Sequence, residues 1–113
     1  MLDLAGEQLS LGVSVVLDAV FPLSGFRTAV RGLASEHSAR LSVIHCHCSD
    51  EAIWKARMEP RPRYVPGWTP VGWEEVEWLR ARYEPWDQGE ALFVDAVEKP
   101  EKNLAVVLEY LRG

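Results

Sequence analysis

The chain has 113 residues, of which 48% are hydrophobic and 26% are charged. This composition excludes disordered and fibrous proteins, and the length suits one compact domain of about 100–150 residues. We therefore expect a single domain over residues 1–113. The formal net charge of −5 argues against a protein that binds nucleic acid by neutralising phosphates.

The two cysteines indicate the cellular compartment. Cys46 and Cys48 lie two residues apart, a spacing on a strand that is too constrained for an easy disulfide. Reduced thiols in an intracellular protein fit this pattern. No apolar run approaches the ~20 residues of a membrane span, and residues 1–21 lack the features of a signal peptide. We expect a cytoplasmic protein without a membrane partner.

The first half of the chain alternates helical and strand patterns. Residues 2–11 form a predicted helix that stops at Gly12, which can adopt a left-handed conformation. Residues 13–17 form an apolar, mostly β-branched run, which is typical of a strand covered on both faces of a parallel sheet. Residues 24–34 repeat apolar side chains at helical spacing, and residues 41–48 form a second predicted strand.

The second half continues the alternation. A predicted helix extends to residue 59, and four prolines between residues 60 and 70 exclude a continuous helix or a central strand there. Helical spacing returns over residues 73–83, followed by a short strand at 91–94 and a last helix that begins at Pro100. Together the patterns predict an α/β fold in three layers, α/β/α, around a small parallel sheet.

Asp18 is the first candidate catalytic residue. It ends the most apolar predicted strand, and ligands of open parallel sheets bind beyond the carboxyl ends of strands. A carboxylate there can hold a magnesium-bound water or accept a proton from an attacking hydroxyl during phosphoryl transfer. The alternative is that Asp18 only begins a turn.

Residues 52–73 are locally basic in an otherwise acidic chain. Arg57 and Arg61 are four residues apart, so they share a helical face on which guanidinium groups can bind a phosphate. The alternative is a solvated helix end. All five tryptophans lie between residues 54 and 86, and most are expected to pack. Stacking on single-stranded bases is a weaker alternative, because the glutamates that follow Trp73 would repel phosphates, so no nucleic-acid partner is expected.

The sequence His-Cys-His-Cys at residues 45–48 contains residue types that bind metals, but its spacing does not suit a metal site. Strand alternation sends His45 and His47 to one face and Cys46 and Cys48 to the other, so the four side chains cannot converge. One pair can still join a ligand elsewhere, such as His37, but no second ligand cluster accompanies it. Strand residues without a metal are the expected interpretation.

Several motifs in order resemble a known group of proteins. They are GVSVVLDAV at residues 12–20, Arg27, CSDEAIWKARMEPR at 48–61, WEEVEWLRARYEPW at 73–86 and LFVDAV at 92–97. This order resembles the later two-thirds of small P-loop kinases, the kinase-like ATP-binding proteins that include zeta toxins and chloramphenicol phosphotransferases. The resemblance implies a partial P-loop NTPase-like fold. It also implies transfer of the γ-phosphoryl group of ATP, with Mg²⁺, to the hydroxyl of an unknown small molecule.

The resemblance assigns roles to individual residues. Asp18 resembles the catalytic aspartate near magnesium or the acceptor hydroxyl, and Arg27 resembles a substrate-binding arginine that faces the acceptor. Arg57 and Arg61 resemble the arginines of a lid that closes over the nucleotide phosphates. The lid-like segment would cover residues 57–72.

The sequence lacks the phosphate loop of that group. It contains no GxxxxGK[ST] motif, whose amides and lysine hold the β- and γ-phosphates, and no glycine is followed by lysine. We expect an N-terminally truncated domain with impaired ATP binding and with an exposed apolar sheet edge that promotes self-association. The alternative is a non-catalytic remnant or interaction module with an α/β fold.

Overall fold

The computed structural model describes residues 1–19, 24–58, 72–87 and 89–113. Within these ranges it contains five helices and two strands. They are α1 (Leu2–Ser10), α2 (Ser24–Glu36), β1 (Ile44–His47), α3 (Glu51–Met58), α4 (Trp73–Arg82), β2 (Leu92–Asp95) and α5 (Pro100–Arg112).

The chain divides into two compact units. The helical unit comprises Met1–Leu41 and Arg82–Pro85, and the sheet unit comprises Ser42–Ala81 and Trp86–Gly113. Helix periodicity predicted all five helices to within a few residues of their observed ends, because the apolar spacing that marks a helix is local to it.

The sheet unit is built on a parallel pair of strands. In β1 and β2 the partners are Ile44 and Leu92, His45 and Phe93, Cys46 and Val94, and His47 and Asp95. The connection between the strands carries α3 and α4. The predicted α/β class with parallel strands near residues 44–47 and 92–94 is confirmed, whereas the three-layer arrangement stays a prediction.

Residues 13–17 are not a strand, and the prediction for this segment is wrong. A strand exists through hydrogen bonds to a neighbouring strand, and none of the described residues pairs with this segment. The amide of Val13 instead donates a hydrogen bond to the Gln8 carbonyl at 3.2 Å. This bond attaches the segment to the end of α1. Its expected burial is also absent, since Val16 is 92% exposed. β-Branched composition favours a strand only where a partner is available.

Small residues allow α1 and α2 to pack closely in the helical unit. Ala5 and Ala34 are buried. A Cβ atom at Gly6 would lie 3.3 Å from Cδ1 of Leu33, so an alanine there would require the Leu33 side chain to shift by a few tenths of an ångström. Gly12 has a φ of 77° and follows the end of α1, as predicted for a helix stop.

Arg27 is a buried arginine that holds the segment after α4. Its Nη1 donates to the Pro85 carbonyl at 3.3 Å, its Nη2 donates to the Glu84 carbonyl, and its guanidinium lies 5.1 Å from the centre of the Tyr83 ring. The Ser24 amide donates to Oε2 of Glu84 at 3.0 Å. These bonds explain why Arg82–Pro85 belongs to the helical unit.

Apolar side chains remain exposed in the part of the chain that the structure describes. Leu11 is 73% exposed, and the predicted apolar stripe of α5 is largely exposed as well, with Leu104 at 58%. None of the described helices has the length and apolar content needed to cross a membrane.

Replacing Arg27 with alanine should lower the free energy of unfolding. The Glu84 and Pro85 carbonyls would lose their buried donor, at a cost of about 1–3 kcal/mol. Ser35→Ala, at an exposed position on the same helix, is the control and should change stability by about 0.5 kcal/mol or less. Urea unfolding followed by circular dichroism measures both variants, and equal effects would contradict this role for Arg27.

Candidate functional site

The carboxyl ends of β1 and β2 form the candidate site. In open α/β sheets ligands bind beyond these ends, because the loops that follow adjacent parallel strands meet there. His47 and Asp95 are the last residues of the two strands and are register partners. We call the strand ends together with the turns at residues 48–50 and 96–99 the carboxyl edge.

Asp95 joins the two turns of the carboxyl edge. Its Oδ1 accepts hydrogen bonds from the amides of Ser49 at 3.2 Å and Val97 at 3.0 Å. Its Oδ2 lies 3.9 Å from Nε2 of His47. Its main-chain carbonyl accepts a bond from Nδ2 of Asn103 at 2.8 Å, which attaches α5. One residue therefore connects both strand ends with the last helix.

These bonds keep Asp95 ionised. The hydrogen bond of the Ser49 side chain is the largest cause, and with the Val97 and Ser49 amides and the nearby His47 it lowers the pKa of Asp95 from 3.8 to about 2. A carboxylate with so low a pKa is a weak general base, because it has little tendency to accept a proton at neutral pH. Its properties suit a structural anion.

Asp50 caps the helix that begins at the carboxyl edge. Its Oδ1 accepts hydrogen bonds from the amides of Ala52 at 3.0 Å and Ile53 at 3.1 Å. Helix amides of this kind are a usual site for phosphate. Here the carboxylate of Asp50 already accepts hydrogen bonds from these two amides, as a helix-capping residue does.

Arg57 reaches the carboxyl edge from α3. Its Nη1 donates to the carbonyl of Ala96, the first residue after β2, at 2.8 Å. Arg61, the other arginine of the predicted lid, lies outside the described residues. So does most of the lid-like segment, residues 59–71.

Asp18 and Arg27 belong to the helical unit. Asp18 is exposed and lines a groove of about 240 Å³ beside α1, where it follows an irregular segment rather than a strand. Asp18 was a candidate catalytic residue because it ends the predicted strand at residues 13–17, and that strand is absent. Arg27 is buried, with its guanidinium on main-chain carbonyls. Their proposed catalytic and substrate-binding roles stay predictions.

A cluster of aromatic and charged side chains joins α3 to α4. The rings of Trp54 and Trp73 meet edge to face, with centroids 5.3 Å apart, and Nζ of Lys55 lies 4.8 Å from the centre of the Trp73 ring. The Arg80 guanidinium lies within 6 Å of both rings, and Glu51 pairs with Lys55 and Arg80. The sequence predicted that most tryptophans pack. It did not predict that Lys55 and Arg80 contact the tryptophan rings, because these contacts depend on how α3 and α4 meet.

The rings of His45 and His47 are stacked on one side of β1, as strand alternation predicts. Cys46 and Cys48 form no disulfide, and Sγ of Cys48 donates to the Asp50 carbonyl at 3.4 Å. Across residues 1–19, 24–58, 72–87 and 89–113, no group of three or more His, Cys, Asp or Glu side chains is arranged to hold a metal ion.

Comparison of the chain with protein families, with curated proteins and with solved structures found no match. Its function is therefore argued from its own residues.

The sheet unit should lose stability in acid through Asp95. The pKa of this carboxyl is lower in the folded chain, so its contribution is complete above about pH 4 and disappears as the pH falls toward 2. Asp95→Asn should flatten the dependence of unfolding free energy on pH in this range. Asp87→Asn, at an exposed position in the same unit, is the control. Urea unfolding at several pH values measures the slopes, and an unchanged slope in Asp95→Asn would contradict the role assigned to this carboxylate.

Proposed function

We propose that this chain is a P-loop kinase-like protein whose intact relatives transfer the γ-phosphoryl group of ATP to the hydroxyl of a small molecule. In this proposal the 113 residues supply the acceptor side and the arginine-bearing lid. The order of motifs along the chain and the parallel pairing of β1 and β2 support it.

The bond between Arg57 and Ala96 is the observation that carries the proposal. In kinases of this kind the phosphates lie beyond the carboxyl ends of parallel strands, where cationic side chains stabilise their charge. The Arg57 guanidinium already lies at that edge, bonded to a neutral carbonyl. A phosphate oxygen is a stronger acceptor for a guanidinium, because the bond is charge-assisted. A phosphate at this edge would therefore compete with the Ala96 carbonyl for the Arg57 guanidinium.

The described residues do not form a complete nucleotide site. Asp50 and Asp95 already occupy the amides of the carboxyl edge that a phosphate would otherwise use. No GxxxxGK[ST] loop is present in the 113 residues, and within the described part no cluster of carboxylates is arranged for Mg²⁺. The described residues by themselves therefore supply no phosphate cradle of the P-loop kind.

An interaction module is the second candidate function. Segment 13–17 and Leu11, which follows the end of α1, leave apolar side chains exposed, Val16 among them. Extended apolar residues without a pairing strand tend to bind another chain. On this proposal the helical unit binds a copy of itself or a partner, without catalysis.

The isolated chain should bind ATP weakly. The phosphate loop and its lysine supply most of the nucleotide affinity in P-loop enzymes, and neither Asp18 nor Arg57 can replace them. We expect a dissociation constant of about 1 mM or weaker, roughly −4 kcal/mol, in magnesium buffer. Isothermal titration calorimetry measures it. A micromolar affinity would require a different phosphate site and would contradict this assignment.

A chain that includes a phosphate loop tests the kinase proposal directly. The DNA upstream of the Met1 codon is examined for a GxxxxGK[ST] sequence, and the extended chain is assayed for ATP binding and ATPase activity. Arg57→Ala or Arg61→Ala should weaken ATP binding by about tenfold, and Asp18→Asn should lower turnover more than binding. Arg112→Ala, at the end of α5, is the control. If Arg57→Ala and Arg112→Ala change ATP binding equally, Arg57 is not a lid arginine.

Self-association is the test of the second candidate. At tens of micromolar, an order of magnitude at which exposed apolar surfaces associate, the chain should form dimers or larger species in analytical ultracentrifugation. Val16→Glu should shift it toward monomer, because a charge on the associating surface opposes contact. Val97→Glu, at an exposed position in the sheet unit, should not. A monodisperse monomer of the unmodified chain would exclude self-association through the helical unit.

A further inference from the structure

Helix α5 presents leucine side chains on a face that the rest of the chain leaves exposed. Its inner side packs against β2, where Nδ2 of Asn103 donates to the Asp95 carbonyl at 2.8 Å. Beside this inner side lie Leu104, Leu108 and Leu111, which are 58%, 41% and 45% exposed. Their spacing of four and then three residues places all three side chains on one side of the helix. We call these three residues the leucine stripe.

We propose that the leucine stripe binds the leucine stripe of a second copy of this chain, with the two α5 helices antiparallel. Apolar residues that alternate between spacings of four and three residues are the pattern by which one helix packs along another. A two-fold axis makes this contact self-complementary, because each copy presents the same surface to the other. In the register that we propose, Leu104 of each copy lies opposite Leu108 of the other.

Charges at the two ends of α5 favour a second copy in this orientation. Glu101 lies in the first turn and Arg112 in the last turn, and both are exposed. Glu101 precedes Leu104 by three residues and Arg112 follows Leu108 by four, so both border the leucine stripe. In the antiparallel register Glu101 of each copy approaches Arg112 of the other, and the helix dipoles also attract. A parallel pair would instead bring the two Glu101 carboxylates together, and like charges repel.

The size of the contact sets its strength. Helix α5 has 13 residues and is therefore about 20 Å long. One leucine stripe from each copy covers less surface than a standard protein interface, so we expect a reversible dimer with a dissociation constant on the order of 100 µM. The leucine stripe belongs to the sheet unit, so this dimer is distinct from the association proposed for the helical unit. It requires no nucleotide and does not depend on the kinase proposal.

The test is sedimentation equilibrium of the full chain carrying Val16→Glu, at about 10–500 µM. This background opposes association through the helical unit, and a reducing agent prevents disulfides between copies through the exposed Cys46. We expect a monomer–dimer equilibrium. Leu108→Glu should raise its dissociation constant by about tenfold or more, because it places a charge in the apolar contact of both copies. Val106→Glu is the matched control: Val106 is 42% exposed but lies on the opposite side of α5, so the dissociation constant should not change.

Exchange of the end charges tests the orientation. Glu101→Arg or Arg112→Glu alone should raise the dissociation constant by about threefold or more, because each brings like charges together at both ends of the dimer. The variant with both substitutions restores opposite charges and should recover the original value. Circular dichroism of every variant distinguishes loss of the contact from loss of the fold. The proposal is overturned if the Val16→Glu chain stays monomeric at about 500 µM. It is equally overturned if Val106→Glu weakens the dimer as much as Leu108→Glu does, or if the double charge exchange does not recover it.

Discussion

The hydrogen bonds of the Asp95 carboxylate are the interaction on which the sheet unit depends. A two-stranded sheet has only one ladder of backbone bonds and is marginal without further support. Asp95 adds that support by fixing the turns after both strands, and its carbonyl attaches α5 through Asn103. The low pKa of this carboxyl is the electrostatic consequence of the same bonds.

The same arrangement limits what the carboxyl edge can bind. Asp50 and Asp95 fill the backbone amides that would otherwise attract an anion, so this edge by itself is a poor phosphate cradle. Arg57 contributes the positive charge from the side, through its bond to Ala96. A kinase role for the chain would therefore need a phosphate loop, and the 113 residues contain no GxxxxGK[ST] motif.

The helical unit depends on a different kind of interaction. Its buried positions include two small residues, Ala5 and Ala34, and one arginine, Arg27. Arg27 contributes through hydrogen bonds to the Glu84 and Pro85 carbonyls rather than through apolar area. With little apolar surface covered among the described residues, exposed side chains such as Val16 make association with another surface favourable.

Features that depend on near neighbours in the chain could be predicted from the residues alone. Apolar periodicity marked the five helices, Gly12 marked the end of α1, and alternation assigned the histidines of β1 to one face. Tertiary structure alone decided which strand-like segments pair: residues 44–47 have a partner in β2, whereas the equally β-prone residues 13–17 have none among the described residues. It also decided that Arg27 is buried and that Arg57 meets Ala96. Pairing and long-range hydrogen bonds join residues far apart in the chain, so no local pattern encodes them.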